Sequence, residues 1–438
     1  MKQANTPSEG KDKAQEPERV WRLADDVVIT PVEKLSQEAV KALVPEGELP
    51  KGRYGLERKR VRTHPKIVNQ DVVDVLQAFG EKGATYEEVL EFLVKTRDLD
   101  RDEFDGSLRK LVQVLVHSNF LVDARQSESG AIEPSMSEGD VWCGYLIKEN
   151  VHCIVDSEIY KVEEVTSGEP RALKVMQAKF PHREMKEGIA YRLRHEFGVI
   201  SKIKSPYVVK LWESGEHDDR VYGVLDWING PSVRKYLRAA EEPLGDGPIM
   251  EIAIQCAQAL HAVHKAGFLH GDVHTGNFLI DGGRVCLVDF GLARPIELTE
   301  EEMVRYSEGG VLQYMTPEYV QKEINGEQRH SGSVAGEVYS CGVMLFSLFA
   351  RSYPYRWKFY REDFRKSILE EPPLSFEECE RMPWPALEQV LGRALRKKPQ
   401  ERYGSMAEFI EVLRAVPIPE PDSGKPEEQS SEGAEAEK

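Results

Sequence analysis

The sequence lacks the features that mark several classes of protein. No apolar run approaches the roughly 18 residues that a membrane-spanning helix requires, and residues 1–20 are polar, without the apolar centre of a signal peptide. None of the six cysteines belongs to a C-x-x-C pair, which argues against a zinc site and against a disulfide framework. We therefore expect a cytoplasmic protein in a reducing compartment, with no membrane partner.

Positive charge is also in short supply. The chain has 58 Lys and Arg residues against 75 Asp and Glu residues, which leaves a formal net charge of -17. Broad binding to nucleic acid requires Lys and Arg at the phosphates. Residues 64–125 have 8 Lys or Arg against 12 Asp or Glu, so a DNA-binding role is disfavoured for this stretch as well. We expect no nucleic acid partner.

Length and composition divide the chain into segments. The 438 residues predict two or three domains, and 40% apolar residues are enough for at least one large core. The predicted segments are a disordered N-terminus at 1–19, a small domain at 20–125, a linker at 126–140, a larger domain at 141–416 and a disordered acidic tail at 417–438. The linker and the tail are rich in Ser, Glu, Gly and Pro, a composition that disfavours a packed core.

The small domain at 20–125 is predicted to contain three helices and short strands. The first helix is indicated by apolar residues at helical spacing, namely Val72, Val75, Leu76 and Phe79. Thr85 and Glu88 form a capping-box pattern ahead of the second helix, and apolar spacing over 104–115 predicts the third. Residues 20–32 and 120–122 have the composition of strands.

Three helices with short strands resemble a winged-helix unit and, more weakly, the peptide-recognition fold of the pyrroloquinoline quinone peptide chaperone. The second resemblance implies a peptide or protein partner that adds a strand to the edge of a sheet. Packing support for the larger domain is the alternative role. The basic run at 51–62, KGRYGLERKRVR, is interpreted as a solvated loop in preference to a phosphate-binding patch.

The larger domain at 141–416 begins with strands and continues with helices. The predicted strands are 145–147, 159–164, 171–176, 208–213 and 221–227, with a helix at 186–203. Beyond Pro231 the pattern becomes helical, with the clearest periodicity at 249–264. Short strands return at 278–280 and 285–288, joined by D-G-G at 281–283, which is a good hairpin turn.

Two segments flank this hairpin, HGDVHTGN at 270–277 and DFG at 289–291. At this point the chain resembles the protein kinase superfamily, over about 270 of its 438 residues. Further elements follow in family order: A-L-K at 172–174, a helix glutamate at Glu196, T-P-E at 316–318, the helix segment E-V-Y-S-C-G-V-M-L-F at 337–346, and Arg402. The resemblance implies an α+β, bilobal protein-kinase-like fold, preceded by the winged-helix-like domain, that transfers the γ-phosphoryl group of ATP to a hydroxyl.

The resemblance also implies a role for each charged residue. Lys174 would hold the α and β phosphates of ATP, and Glu196 would hold Lys174. Asp289, assisted by Asn277, would bind Mg²⁺ through oxygen ligands. Asp272 would accept the proton of the attacking hydroxyl, or orient that hydroxyl.

The register of the family gives an ATP-binding set as well. It contains apolar residues around the adenine and two residues of the segment V-L-D-W-I-N-G whose backbone groups face the adenine edge. The apolar residues are Val151, Ile159, Ala172, Leu225 and Leu279, and the backbone groups are those of Asp226 and Ile228. Lys174 completes the set at the phosphates.

The sequence departs from the family pattern at three places. The three glycine positions of the phosphate loop hold His152, Ile154 and Ser157, and side chains there resist a close backbone approach to phosphates. Gly271 stands in place of the arginine that pairs with a phosphorylated activation loop, so activation by that route is not expected. His274 stands where Ser/Thr protein kinases usually have lysine, and HGDxHxxN resembles the catalytic loop of small-molecule phosphotransferases.

These departures leave alternatives open. The prediction is a Ser/Thr protein kinase that acts on a protein or peptide hydroxyl, because the segment at 309–318 is the one that docks a polypeptide in the family. One alternative is a pseudokinase that binds nucleotide or a partner without transfer. Another is a kinase that modifies a small molecule or a peptide.

Overall fold

The computed structural model describes most of the chain, and every structural statement below concerns the described residues. These are residues 20–34, 52–58, 66–97, 99–117, 120–124, 133–180, 183–239, 244–299, 302, 311–325, 332–356 and 361–419. The disordered N-terminus predicted at 1–19 and nearly all of the tail predicted at 417–438 lie outside them. Within these ranges no helix has both the length and the apolar character needed to cross a membrane.

The chain divides into two compact units. The first takes in the described parts of Met1–Ser137, Asn150–Ile159 and Gln177–His182, and the second those of Glu138–Glu149, Tyr160–Met176 and Arg183–Lys438. Two short segments of the larger predicted domain therefore group with the N-terminal part of the chain. The predicted domain boundaries stay a prediction.

Short strands in the first unit form two antiparallel sheets. The strands are β1 (Val20–Leu23), β2 (Val27–Pro31), β3 (Arg53–Arg58), β4 (Lys66–Asn69), β5 (Ala84–Thr85) and β6 (Leu121–Asp123). One sheet has the order β5-β1-β6 and the other the order β2-β3-β4.

The loop interpretation of the basic run at 51–62 is wrong for residues 53–58. These residues are β3, the central strand of its sheet. Leu56 is fully buried while Glu57 beside it is exposed, which is the alternation that a half-buried strand produces. Residues 59–62 lie outside the described part of the chain.

The three helices predicted in this unit are confirmed as α1 (Gln70–Phe79), α2 (Tyr86–Arg97) and α3 (Arg101–His117). The predicted capping box is present, because the Thr85 N–H donates to Glu88 at 2.8 Å and the Glu88 N–H donates to the Thr85 hydroxyl at 3.2 Å. The helices bury one shared core with the sheets. Its members include Leu56, Leu76, Phe79, Val89, Leu90, Leu93, Leu108, Phe120 and Leu121.

A strand-rich region follows in the chain. Its strands are β7 (Val141–Trp142), β8 (Tyr145–Cys153), β9 (Ser157–Glu164), β10 (Pro170–Met176), β11 (Leu211–His217) and β12 (Arg220–Asp226), in the sheet order β11-β12-β10-β9-β8-β7. The helix α4 (Arg183–Ile200) packs closely on this sheet. A Cβ on Gly223 would lie 2.5 Å from the ring of Phe197, so only glycine allows the helix to come so near.

The rest of the second unit is mostly helical, as predicted. Its helices are α5 (Val233–Ala239), α6 (Asp246–Lys265), α7 (Pro317–Asn325), α8 (Val334–Ala350), α9 (Arg361–Glu370), α10 (Pro385–Ala394) and α11 (Met406–Arg414). The central helix α8 is apolar on all sides and is almost entirely buried, which is what such a composition requires. The Ser333 hydroxyl accepts a hydrogen bond from the Gly336 N–H and so caps its first turn.

Two pairs of short strands lie among these helices. β13 (Phe268–Leu269) pairs with β16 (Arg294–Pro295), and β14 (Phe278–Asp281) pairs with β15 (Arg284–Leu287). The second pair is the predicted hairpin, and its turn glycines have φ of 57° and 83°. Gln255 of α6 is buried against it, accepting from the Val285 N–H at 2.8 Å and donating to the Gly283 carbonyl at 3.2 Å.

Candidate active site

Lys174 and Glu196 form a buried ion pair. The Lys174 side chain extends from β10 and the Glu196 side chain from α4, and Nζ lies 2.6 Å from Oε1 and 2.8 Å from Oε2. The same Nζ lies 3.7 Å from Oδ1 of Asp289. An ammonium held by carboxylates at a fixed place offers a preorganised positive charge to an anionic substrate.

The β14–β15 hairpin brings Asn277 and Asp289 together. Asn277 directly precedes β14, and the Val288 N–H donates to its carbonyl at 2.9 Å. Asp289 follows with φ of 63°, an unusual value for a residue with a side chain. Phe290 beside it is fully buried and packs edge-on against the ring of His270 at 4.9 Å.

Asp272 lies in a short network within the same loop. The Asn277 Nδ2 donates to the Asp272 carbonyl at 2.9 Å. The Gly276 N–H donates to His274 Nδ1 at 3.0 Å, so in the neutral ring the proton resides on Nε2, which lies 3.4 Å from Asp272 Oδ2. Burial alone would raise the pKa of Asp272, but the hydrogen bond from His274, together with the electrostatic contributions of His274 and His270, outweighs it and holds this pKa below its ordinary value. Asp272 is therefore an ionised carboxylate at neutral pH and can accept a proton.

Glu337 of α8 holds the loop at 270–277 through a hydrogen bond to its backbone. Its Oε1 accepts the Gly271 N–H at 2.6 Å, and its Oε2 lies 2.7 Å from Nε2 of His264 on α6. Burial raises the pKa of the Glu337 carboxyl, but these hydrogen bonds outweigh it and hold the pKa below its ordinary value. A buried carboxylate in contact with two elements fixes the position of the loop between them.

Residues 270–277 are called the catalytic loop here, after the family pattern. Gly271 allows a close approach between this loop and the segment after Asp289. Its φ is 82°, and a Cβ on it would lie only 2.3 Å from the carbonyl oxygen of Leu292. No residue with a side chain fits there without moving one of the two segments. The arginine that this position has in the family pattern is thus excluded by the backbone itself.

A second contact holds the same segment. His195, next to Glu196 on α4, lies with Nε2 at 2.9 Å from the Ala293 carbonyl. The residues after Asp289 are therefore fixed from α4 as well as from the catalytic loop. Neither contact requires a phosphorylated residue.

The predicted adenine-binding residues of the second unit lie along two paired strands and the hairpin. Ala172 of β10 pairs with Leu225 of β12, and the next pair brings in Asp226. The Asp226 N–H donates to the Lys210 carbonyl at 3.0 Å. Leu279 lies in β14, and Ile228 is buried just beyond β12. Their contact with ATP stays a prediction.

Val151 and Ile159, the other two predicted adenine-binding residues, belong to the first unit. Val151 is exposed on β8 and Ile159 is half-buried on β9. Between these strands lies the glycine-free phosphate loop, which turns sharply because the Ile154 N–H donates to the Ser157 carbonyl at 3.0 Å. Of the three positions that hold glycine in the family pattern, His152 is exposed, whereas Ile154 and Ser157 are buried.

Side chains hold this loop in place. The Gln177 amide nitrogen lies 3.2 Å from the Cys153 sulfur and 3.4 Å from the Ile154 carbonyl, and its backbone N–H donates to the Asp156 carbonyl at 3.1 Å. Glu158, at the base of the loop, is fully buried and accepts the N–H and the hydroxyl of Ser135 at 3.0 and 2.8 Å. Hydrogen bonds from both sides therefore fix a loop that is flexible when built from glycine.

A cavity of about 280 Å³ adjoins Asp272 in the second unit. The catalytic loop, the T-P-E segment and the start of α8 line it. Its apolar lining comes from Leu269, Val273, Val311, Tyr314 and Met315. The T-P-E glutamate, Glu318, forms a two-pronged ion pair with Arg402 at 2.9 and 2.6 Å, which fixes one wall of the cavity.

Sequence reasoning missed several residues that position these groups. Glu337 was noticed only as part of a helix motif, although a glutamate within an apolar helix is a signal of a buried partner. His195, His264, Gln177 and Ser135 carried no such signal. Their partners are backbone atoms or side chains that are distant in the chain.

Comparison with known families gives the relationship of the chain. The family described as protein kinase domain matches residues 155–413, more than half of the chain. The chain belongs to this family. The predicted kinase-like fold is thereby confirmed.

Curated relatives are similar to the kinase domain over part of their own length. The chain is 25% identical over 249 residues to the serine/threonine-protein kinase PLK4 of Nematostella vectensis, which covers 56% of this chain and 23% of that protein. It is 26% identical over 218 residues to CBL-interacting protein kinase 19 of Oryza sativa subsp. japonica, covering 48% and 41%. It is also 26% identical over 218 residues to a probable serine/threonine-protein kinase, pknA2, of Bifidobacterium longum, covering 48% and 27%. The chain thus spans less than half the length of these relatives.

Among solved structures, the kinase domain of Mycobacterium tuberculosis PknI is similar, with a TM-score of 0.45 and 22% identity. The similarity covers 65% of this chain and 99% of that one.

Proposed function

We propose that this protein is an ATP-dependent Ser/Thr protein kinase that phosphorylates a hydroxyl of a protein or peptide. The observation that carries the proposal is the buried Lys174–Glu196 pair, with Asp289 at 3.7 Å from the same ammonium. Phosphoryl transfer depends mainly on positioning and on neutralising charge. An ammonium that is fixed in this way serves both needs.

In the proposed reaction the γ-phosphorus of ATP forms a bond to the acceptor oxygen. Its bond to the oxygen that bridges the β and γ phosphates breaks, and ADP leaves. The hydroxyl proton goes to the carboxylate of Asp272, whose lowered pKa keeps it ionised at neutral pH. Lys174 holds the α and β phosphates, and Glu196 keeps Lys174 in place.

Mg²⁺ is the proposed cofactor, with Asn277 and Asp289 as its ligands. The donor set suits a hard cation, because Asp289 supplies a carboxylate and the Asn277 nitrogen is turned to Asp272, which leaves its side-chain oxygen as a ligand. When bound, Mg²⁺ neutralises negative charge on the phosphates. No cluster of three or more acidic, His or Cys side chains for a metal occurs in the described ranges, which fits a site completed by phosphate oxygens.

A polypeptide acceptor is supported by the cavity beside Asp272. Its apolar lining offers room for a side chain next to the acceptor residue, and the Glu318–Arg402 pair keeps its wall in place. We propose a cytoplasmic location, and a peptide or protein partner for the N-terminal unit. Within the described ranges, β2 and β4 are the edge strands of the sheet β2-β3-β4, which supports strand addition as the mode of binding.

A pseudokinase is the second candidate, and the phosphate loop favours it. Ile154 and Ser157 are buried side chains where the family has glycine, so fewer backbone N–H groups can reach phosphates. Incubation with γ-labelled ATP and Mg²⁺, alone and with acceptor proteins, decides between the two. Label on Ser or Thr supports the kinase; nucleotide binding without any label supports the pseudokinase.

The role of Mg²⁺ is tested by calorimetric titration with ATP in the presence and absence of the metal. With a glycine-free loop, binding depends on the metal and on Lys174, so we expect affinity to fall by at least about tenfold without Mg²⁺. Equal affinities in the two conditions would contradict the proposed metal ligands.

A further inference from the structure

Arg234 lies against the catalytic loop. Arg234 is exposed at the start of α5, and its backbone N–H donates to the Thr275 carbonyl at 3.4 Å. Its Nη2 lies 3.1 Å from the position that a Cβ on Gly276 would occupy. Within the described ranges, its guanidinium has no carboxylate within ion-pair distance.

Glycine at 276 is what makes this approach possible. A Cβ there would also lie 2.8 Å from Cε1 of His274, so any side chain would collide with that ring and crowd the guanidinium. The absence of a side chain at Gly276 therefore lets the guanidinium of Arg234 and the ring of His274 both pack against the loop. A guanidinium keeps its charge across the physiological pH range.

The guanidinium of Arg234 is close to the proposed acceptor position. The ring of His274 lies between the two sites, with Nε2 at 3.4 Å from Asp272 Oδ2 and Cε1 facing Gly276. An extended peptide advances about 3.3 Å per residue. A residue two or three positions from the acceptor hydroxyl can therefore reach Arg234 while the hydroxyl lies at Asp272.

We propose that the substrate is an acidic peptide segment, in which an Asp or Glu within about three residues of the acceptor Ser or Thr binds Arg234. The inference rests on the proposed kinase function and names the substrate class of the same site. A carboxylate is the suitable partner because the planar guanidinium can donate two parallel hydrogen bonds to it. A Lys or Arg of the peptide at the same position would be repelled by the positive charge of Arg234.

The test uses the full chain and three sets of short synthetic peptides. Each peptide has one Ser, and Asp, Asn or Lys is placed at each of the three neighbouring positions on either side in turn. Phosphorylation is measured with Mg²⁺ and ATP as kcat and KM for the peptide. We expect one position at which Asp lowers KM about five- to tenfold relative to Asn, with little change in kcat.

Variants assign this preference to one side chain. Arg234→Ala should remove the difference between the Asp and Asn peptides, Arg234→Lys should retain part of it, and Arg234→Glu should reverse it in favour of Lys. Lys235→Ala is the matched control, since it removes a cation that is also exposed, from the next position of α5, and should leave the preference unchanged. Equal KM for Asp and Asn peptides in the wild type would overturn the inference, as would a preference that survives Arg234→Ala.

Peptide binding separates this inference from the proposed function. Fluorescence anisotropy of the same labelled peptides, with a non-hydrolysable ATP analogue, reports the preference without phosphoryl transfer. If the Asp peptide binds more tightly and this depends on Arg234, the inference is supported even when no peptide is phosphorylated. The absence of phosphorylation would reject only the proposed kinase function. Equal affinities of the Asp and Asn peptides would overturn the inference.

Discussion

The catalytic loop and the phosphate loop differ in what each retains of the family pattern. In the catalytic loop the charged residues Asp272 and Asn277 are present and hydrogen-bonded to each other. In the phosphate loop the glycines are absent. The Gln177 amide donates to the Ile154 carbonyl, and the Ser135 hydroxyl donates to the carboxylate of Glu158 at the base of the loop. The catalytic loop keeps the charged and polar residues of the family pattern. The phosphate loop lacks the flexible glycines, and hydrogen bonds from side chains hold it instead.

The difference shows which physical requirements a fold can meet in more than one way. The proposed proton acceptor must be a basic group at one place, and at that place Asp272 supplies an ionised carboxylate. A loop that must hold one shape can obtain it from hydrogen bonds as well as from glycine. The catalytic loop itself uses glycine where space demands it, since Gly271 and Gly276 permit approaches that no Cβ allows.

The largest expected effect comes from removing Asp272, the proposed proton acceptor. Asp272→Ala should lower the rate of transfer about 10²–10⁴-fold while ATP binding remains, because the carboxylate acts on the hydroxyl and not on the nucleotide. Lys174→Ala should weaken both binding and transfer. Rates and calorimetric ATP titrations of the two variants measure this, and a full rate in Asp272→Ala would mean that the catalytic loop has been assigned wrongly.

Next in size is the loss of the close approach at Gly271. Gly271→Ala places a methyl group 2.3 Å from the Leu292 carbonyl, so the catalytic loop must shift, and a shift of about 1 Å costs about 10²-fold in rate. Gly144→Ala is the control, since Gly144 has a φ of 85° but open space around it. It shares the backbone strain of about 1–2 kcal/mol without the collision. Equal thermal stability and rate in the two variants would contradict the role of the approach.

A smaller effect is expected from loosening the phosphate loop. Gln177→Ala removes the amide group that contacts Cys153 and Ile154, and we expect the KM for ATP to rise about three- to tenfold while kcat changes less. Lys179→Ala, an exposed neighbour, serves as the control. If KM stayed constant in Gln177→Ala, the loop would owe its shape to other contacts.

The smallest effect at neutral pH is expected at His274. His274→Ala removes the hydrogen bond that lowers the pKa of Asp272, so that pKa rises. Asp272 must be ionised to act, and therefore the acid limb of the pH profile of kcat/KM moves to higher pH, while the rate at neutral pH changes little. His274→Gln can still donate to the carboxylate and should move the limb back. An acid limb that is the same in all three proteins would show that His274 does not act through Asp272.

The sequence predicted best those elements whose signal is local. The D-G-G turn between apolar strands indicated the hairpin that joins Asn277 and Asp289, and T-x-x-E indicated the start of α2. The strand at 53–58 was not predicted, because Tyr54 and Leu56 are the only large apolar residues among its charged ones and give a short alternation. Its sheet partners β2 and β4 are separated from it along the chain, so local reading did not reveal them.

The restraints around the candidate site were beyond sequence reasoning for a different reason. Gly271 could be identified as a departure from the pattern, but the carbonyl of Leu292 that excludes a side chain there is a backbone atom of another segment. His195 is likewise defined by its contact with the Ala293 carbonyl. Backbone carbonyls have no identity in a sequence, so contacts with them leave no pattern to read.

The ion pair between Glu318 and Arg402 has a consequence for how the protein is made. Its two members are 84 residues apart in the chain, and a ribosome adds about 5–20 residues each second. For several seconds of synthesis, Glu318 is therefore outside the ribosome while its partner does not yet exist. The ion pair that fixes the wall of the cavity beside Asp272 can therefore form only after nearly all of the kinase domain has been translated.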